Sequence, residues 1–197
     1  MTSPDRIQAY DERAPDPAET ERFTAALGCF WGPDAALGAL EGVVRTRVGY
    51  AGGTTDDPTY HDVGDHSEAV QVDYDPGVLP FADLVDAAVA NHDPRNQPRD
   101  RQYQHVVFHE SAAQRRTVEE RLSDLAVDRV ATRIEPLDSF TVAEPYHQTF
   151  NLRGKRAVLR AFEDAGYGDD DRRESPAAAK LNAHVAGKNV PGIDALL

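Results

Sequence analysis

Phe23-Thr24-Ala25-Ala26-Leu27-Gly28-Cys29-Phe30-Trp31-Gly32-Pro33-Asp34-Ala35-Ala36-Leu37-Gly38-Ala39-Leu40 decides how this chain is read. The first five residues are an apolar run that predicts a strand. Pro33, near the start of the last eight, predicts a helix over 33–40. The junction Gly28-Cys29-Phe30-Trp31-Gly32 between them holds the single cysteine and the single tryptophan of the protein. A thiol at a helix N-terminus sits in a field that favours the thiolate, lowering a cysteine pKa from about 8.5 toward roughly 3.5–7.5. With two aromatics directly after it, Cys29 reads as a nucleophile beside an apolar pocket. A lone cysteine also serves as a small buried hydrophobe, so the residues alone leave both readings open.

Working outward, strands are predicted over 22–27, 43–50, 69–75, 105–109 and 131–135. Helices are predicted over 33–40, 80–91, 111–125 and 154–165. The second begins with Pro80 and carries Phe81, Leu84, Val85, Ala88 and Val89 at helical spacing. Strands alternate with helices without a strict parallel pattern, which points to an α+β protein, a two-layer sandwich. Residues 1–20 are polar with three prolines and read as a flexible acidic tail. From about residue 168, Asp169-Asp170-Asp171 and the Ala-rich 175–184 read as a C-terminal extension, an added turn of helix plus coil. The span 21–167 between them is the expected domain.

Composition narrows the class. At 197 residues and 40% apolar content the chain fits one domain with tails. No run approaches a membrane span and the N-terminus lacks a signal-peptide core, so a cytoplasmic protein is expected. One cysteine excludes a disulfide framework and any Cys-rich zinc site. The seven histidines show no HExxH or close Cys/His spacing, so no metal site is expected. Gly49–Gly53 reads as a tight turn, since no Gly-Lys-Ser/Thr follows it. Asp and Glu total 34 against 21 Lys and Arg, a net charge of −13, which opposes nonspecific nucleic-acid binding. Only Lys155, Lys180 and Lys188 are lysines. This balance suggests adaptation to a salt-rich cytoplasm, where dense carboxylates are screened; an ordinary acidic protein is the alternative.

Several segments, in order, resemble the A-type peptide methionine sulfoxide reductases. Gly28-Cys29-Phe30-Trp31-Gly32 is similar to their active-site motif. Val48-Gly49-Tyr50-Ala51-Gly52-Gly53, Pro58-Thr59-Tyr60, His66-Ser67-Glu68-Ala69-Val70 and Asp73-Tyr74-Asp75-Pro76 follow it. His92-Asp93-Pro94, Gln102-Tyr103 and Glu144-Pro145-Tyr146-His147-Gln148 complete the series. The resemblance runs from about residue 23 to 165 and implies a ferredoxin-like core with long coil excursions.

It also implies the chemistry: reduction of methionine-S-sulfoxide, in proteins and as the free amino acid, through a sulfenic acid on Cys29. A thiolate attacks the sulfoxide sulfur, an acid protonates the departing oxygen, and an apolar pocket holds the methyl group. The resemblance assigns attack to Cys29 and substrate binding to Phe30 and Trp31, whose other role is core packing. It assigns the acid to Glu68, which sequence alone, without the motif, reads as a surface glutamate at a strand's entrance rather than a buried acid. Tyr60 and Tyr103 would donate hydrogen bonds to the sulfoxide oxygen, though a buried tyrosine is also a common core residue. Asp100 lies near the family's acidic substrate-binding position, three residues before Tyr103 rather than five. His147 is carried over as a structural residue.

The chain departs from the family in two short loops, between Tyr60 and Glu68 and between Pro94 and Gln102, both beside the expected pocket. It also lacks a second cysteine. With no bound cofactor implied, an outside thiol, either a thioredoxin-like protein or a small molecule, must reduce the sulfenic acid. A monomer is expected. Two other functions stay open at this point: a Cys-His hydrolase or acyltransferase, which needs a histidine beside Cys29, and a non-catalytic binder of sulfoxides or peptides.

Overall fold

The computed structural model describes residues 2–197. In chain order its elements are α1 (Pro4–Asp11), β1 (Glu21–Leu27), α2 (Trp31–Gly38), β2 (Val43–Ala51), β3 (Ser67–Tyr74), α3 (Phe81–Val89), β4 (His105–His109), α4 (Ala112–Ser123), β5 (Arg133–Pro136), β6 (Phe140–Val142), α5 (Phe150–Arg153), α6 (Arg156–Asp164), α7 (Asp169–Arg173) and α8 (Pro176–Val185). The result is a mixed α/β protein built on one six-stranded sheet in the order β5-β4-β1-β3-β2-β6. All neighbouring pairs are antiparallel except β4–β5.

The periodicities anticipated from sequence explain the layers. In β3, alternate residues Val70, Val72 and Tyr74 face α2, α3 and α4, where they meet Phe23, Leu37, Leu84, Val85, Val107 and Val118. Each fully buried side chain of this size contributes about 1.5–3 kcal/mol. The opposite face of β3 is also buried, but by charge. Asp73 accepts from Arg45 at 3.2 Å and from Arg47 at 2.8 Å, and Arg47 also reaches Glu174, just past α7. Strand β6, absent from the sequence reading, pairs with β2 over Gly49–Ala51. Its three residues are too short to show periodicity. Gly49 permits the pairing, because a Cβ there would collide with the Thr141 carbonyl and the Phe140 ring.

Both termini correct the sequence reading. Residues 4–11, expected within a flexible tail, form a helix whose Ser3 side chain caps the Arg6 amide, with Pro4 in the first turn. Ile7 is fully buried against Leu152, Phe162, Leu181 and Leu196. Asp11 accepts from Ser175 Oγ at 2.6 Å and from the Ala177 amide at 2.7 Å, so α1 caps α8. The extension after residue 168, expected as a turn plus coil, contains α7 and the ten-residue α8, whose residues 177–183 are buried. Ile7 and Tyr10 stand one helical turn apart, too few to register as periodicity. Only a partner surface at the other end of the chain makes them a core face. No helix among the described residues is long and apolar enough to cross a membrane.

Candidate active site

The thiol stands where β1 turns into α2. Gly28 makes the turn at φ +84°, a left-handed conformation that suits glycine, and Cys29 is exposed. Phe30 is buried immediately behind it, with its ring 6.2 Å from Tyr50 and 5.1 Å from His147. Trp31 opens α2. Its indole lies flat against Phe150, centroids 3.7 Å apart and planes 7° apart.

Glu68 comes from β3, directly opposite Tyr50 of β2, on the face that carries Val70 and Val72. It is 1% exposed, which decides between the surface and the buried readings of this residue. Its Oε2 accepts from the Phe30 amide at 3.1 Å and its Oε1 from Gln102 Nε2 at 2.7 Å. The Cys29 thiol lies within the electrostatic reach of this carboxylate, and each shifts the other. Burial holds the Glu68 pKa above the ordinary carboxylate value, against the lowering by the Gln102 and Phe30 hydrogen bonds and by Cys29.

The same pairing overturns one expectation. The Cys29 thiol is pushed up rather than down: desolvation raises it, as does the neighbouring Glu68 carboxylate, and together they outweigh the Trp31 backbone N–H, which favours the thiolate. The helix N-terminus is present, but desolvation, with the Glu68 carboxylate beside the sulfur, outweighs it, so the thiol holds its proton more tightly than an ordinary cysteine.

Tyr103 ends a short 3₁₀ turn, Arg101–Tyr103, which Ser67 Oγ ties to β3 by donating to the Arg101 carbonyl at 2.6 Å. Desolvation, then the charge of Glu68, raises the Tyr103 pKa, with smaller contributions from Tyr60 and Cys29. Tyr60 packs on His147 at 4.6 Å, and its amide donates to Glu144 Oε1 at 2.9 Å. Glu144 Oε2 takes the Tyr50 hydroxyl at 2.7 Å. Five expected residues, Cys29, Phe30, Glu68, Tyr60 and Tyr103, therefore share one site, and Trp31 borders them. Among the described residues Asp100 touches none of these side chains through a hydrogen bond, though its charge adds to the rise that burial gives the Glu68 pKa. It is exposed, and its Oδ1 accepts from the Gln102 amide at 3.1 Å, so it caps the turn that carries Gln102 and Tyr103.

The short loops keep their geometry through backbone bonds. Asp65 receives the amides and hydroxyls of Thr54 and Thr55. Arg101 Nε donates to the Asp65 carbonyl at 2.6 Å. Sequence reading missed Gln102, Tyr50, Glu144 and Phe150 as site residues. The first three lie inside quoted motifs, which was the available signal. Phe150 had none. Its place follows from Gln148, which bonds the Val48 amide and carbonyl and the Ala143 carbonyl, anchoring the chain just ahead of it.

A lone cysteine beside a buried carboxylic acid and an aromatic wall fits a thiol oxidoreductase better than a Cys-His hydrolase, because the charged group that shifts the thiol is the Glu68 carboxylate and not an imidazole. A family profile described as peptide methionine sulfoxide reductase matches residues 21–167. The peptide methionine sulfoxide reductase A5 of Oryza sativa subsp. japonica is 39% identical over 181 residues, covering 85% of this chain and 68% of that protein. The MsrA of Methanothermobacter thermautotrophicus is 42% identical over 150 residues, covering 69% of this chain and 89% of its own. The reduced form of Mxr1 from Saccharomyces cerevisiae superposes with a TM-score of 0.65 at 31% identity, covering 71% of this chain and 88% of that one. The chain belongs to the peptide methionine sulfoxide reductase family of oxidoreductases.

Proposed function

We propose that this protein reduces methionine-S-sulfoxide, in oxidised proteins and as the free amino acid, through a sulfenic acid on Cys29. The observation that carries the reading is the burial of Glu68 beside Cys29: its carboxylate holds the amide of the next residue, Phe30, at 3.1 Å and, after desolvation, pushes the Cys29 thiol up. When sulfoxide binds, the thiol proton passes to Glu68, and the freed thiolate attacks the sulfoxide sulfur. Neutral Glu68 gives that proton to the sulfoxide oxygen, with Tyr60 and Tyr103 as hydrogen-bond donors to it. The net change is Cys29–SH plus sulfoxide to Cys29–SOH plus methionine. The two electrons come from the cysteine sulfur and the proton never leaves the site. Phe30 and Trp31 receive the methyl group.

With one cysteine in the chain, the sulfenic acid is reduced from outside. Two equivalents of thiol return Cys29–SH and water and leave a disulfide on the donor, a thioredoxin-like protein or a small thiol. The exposure of Cys29 supports this route. We read Asp100 as shaping the substrate side through the turn it caps. The order β4-β1-β3-β2, antiparallel throughout, with α2 and α3 as the crossovers, supports a ferredoxin-like core. A monomer in a salt-rich cytoplasm is the proposed setting, on the net charge of −13.

The test is turnover of free and peptide methionine sulfoxide, resolved by sulfur epimer, with dithiothreitol as reductant. Consumption of the S epimer alone is expected. No turnover of either epimer would leave a non-catalytic binder.

A further inference from the structure

Helix α8 lies beyond the residues matched to the family, yet it grips the active-site helix at both ends. Lys180 Nζ donates to the Gly38 and Leu40 carbonyls at 2.9 and 2.6 Å, closing the C-terminal end of α2. At the other end stands Asn182, which is fully buried. Its Nδ2 donates to Asp34 Oδ2 at 2.9 Å and its Oδ1 accepts from the Leu152 amide at 3.1 Å. Asp34 is one turn after Trp31 in α2, and Leu152 is two residues after Phe150 in α5. One carboxamide thus bridges the two helices whose first residues are the stacked rings.

The stack needs such a support. Trp31 Nε1 is buried with no hydrogen-bond partner among the described residues, so packing alone orients the indole. Phe150 is 40% exposed and sits on a four-residue helix, too short to be stable alone. The chain enters that helix through Thr149 at φ 48°, a left-handed conformation costly for a β-branched residue. A group with one donor and one acceptor back to back is what the gap requires. Leucine offers neither, and a carboxylate would confront Asp34.

We propose that Asn182 is a positioning residue for the methyl-binding pocket: by bridging α2 and α5 it holds Phe150 flat against Trp31 and so orients the indole beside Cys29. This rests on the reading of Trp31 as part of that pocket.

Trp31 is the only tryptophan, so the emission and near-UV dichroism of the whole protein report its stacking. In Asn182→Leu the emission should shift, and KM for a methionine-sulfoxide peptide should rise about tenfold with kcat changed far less, the pattern of a misfitted apolar pocket. In Asn182→Asp two carboxylates share one buried site, and burial already pushes Asp34 up to about 6. At about pH 5.5 the pair holds a proton that restores the missing donor, and at about pH 8.5 it does not. Relative to wild type at each pH, KM and emission of this variant should recover in acid, which also serves if Asn182→Leu folds poorly. Ser175→Ala removes the N-cap of α8 and should lower Tm while leaving KM and emission unchanged. In a Phe150→Ala background, Asn182→Leu should add nothing to KM. Wild-type emission and KM in Asn182→Leu, an acid-blind Asn182→Asp, or full additivity with Phe150→Ala would overturn the proposal. Absence of sulfoxide turnover in the wild type would instead sink the reductase reading, while the emission would still judge the bridge.

Discussion

Gln102 donates from Nε2 to Glu68 Oε1 at 2.7 Å, while the Phe30 amide holds the other oxygen at 3.1 Å. Each oxygen of the buried acid therefore has a donor, and one of them belongs to the residue next to the nucleophile. Burial raises the pKa of Glu68 and these bonds lower it, so the hydrogen bonds set how far above the ordinary value the acid titrates. Removing the Gln102 bond removes a lowering influence. Gln102→Met should shift the acid limb of kcat/KM to higher pH, because Glu68 must be ionised to take the thiol proton and then keeps its own proton to higher pH. A limb that stays in place or moves toward acid would show that Gln102 does not tune the donor.

Glu68→Gln retains an oxygen for the Phe30 amide but has no proton to give. Turnover should fall by about 10²–10⁴, and the limb assigned to Glu68 should vanish from the pH profile. A near-normal rate from pH 5 to about 9, scanned across that limb, would exclude Glu68 as the acid.

Cys29→Ser should abolish reduction, since a hydroxyl without a paired base is a poor nucleophile. In the wild type without reductant, one turnover should release one methionine per chain and leave one oxygen, or a thiol adduct, on Cys29 by mass spectrometry. Two methionines per chain would contradict a one-thiol cycle.

Ile7 is fully buried between α1 and the C-terminal helices. Ile7→Ala should cost about 2–5 kcal/mol in urea unfolding, with kcat unchanged well below the melting temperature. A stability loss no larger than that of an exposed substitution would return residues 4–11 to the status of a tail.

With a net charge of −13, the melting temperature should rise from dilute buffer to molar KCl. The Debye length falls from about 10 Å at 0.1 M to about 3 Å at 1 M, which screens carboxylate repulsion. The reacting sulfoxide is neutral, so the gain should appear as folded fraction rather than as kcat. A flat or falling melting temperature would remove the salt-adaptation reading and leave the chemistry untouched.

The central elements were legible because their signals are local. The apolar run before Gly28, the alternation after Glu68 and the helical spacing from Phe81 to Val89 each span a few residues, and the sheet and helices form there. Strand β6 and helix α1 escaped because three residues, or one Ile-Tyr pair, make no period without a partner surface. The thiolate expectation for Cys29 went wrong for a related reason. A helix N-terminus can be read from adjacent residues, whereas the carboxylate that opposes it arrives from another strand.

The linear chain by itself determined the lone cysteine, its aromatic neighbours and the turn that presents them, because these depend on residue identity and near spacing. Tertiary structure alone decided which carboxylate is buried beside the sulfur, which amide holds it and what lies against the indole. Those contacts join residues far apart in the chain, Phe30 with Glu68, Glu68 with Gln102 and Trp31 with Phe150. Desolvation and hydrogen-bond partnership are properties of the packed surface, so no spacing along the chain encodes them.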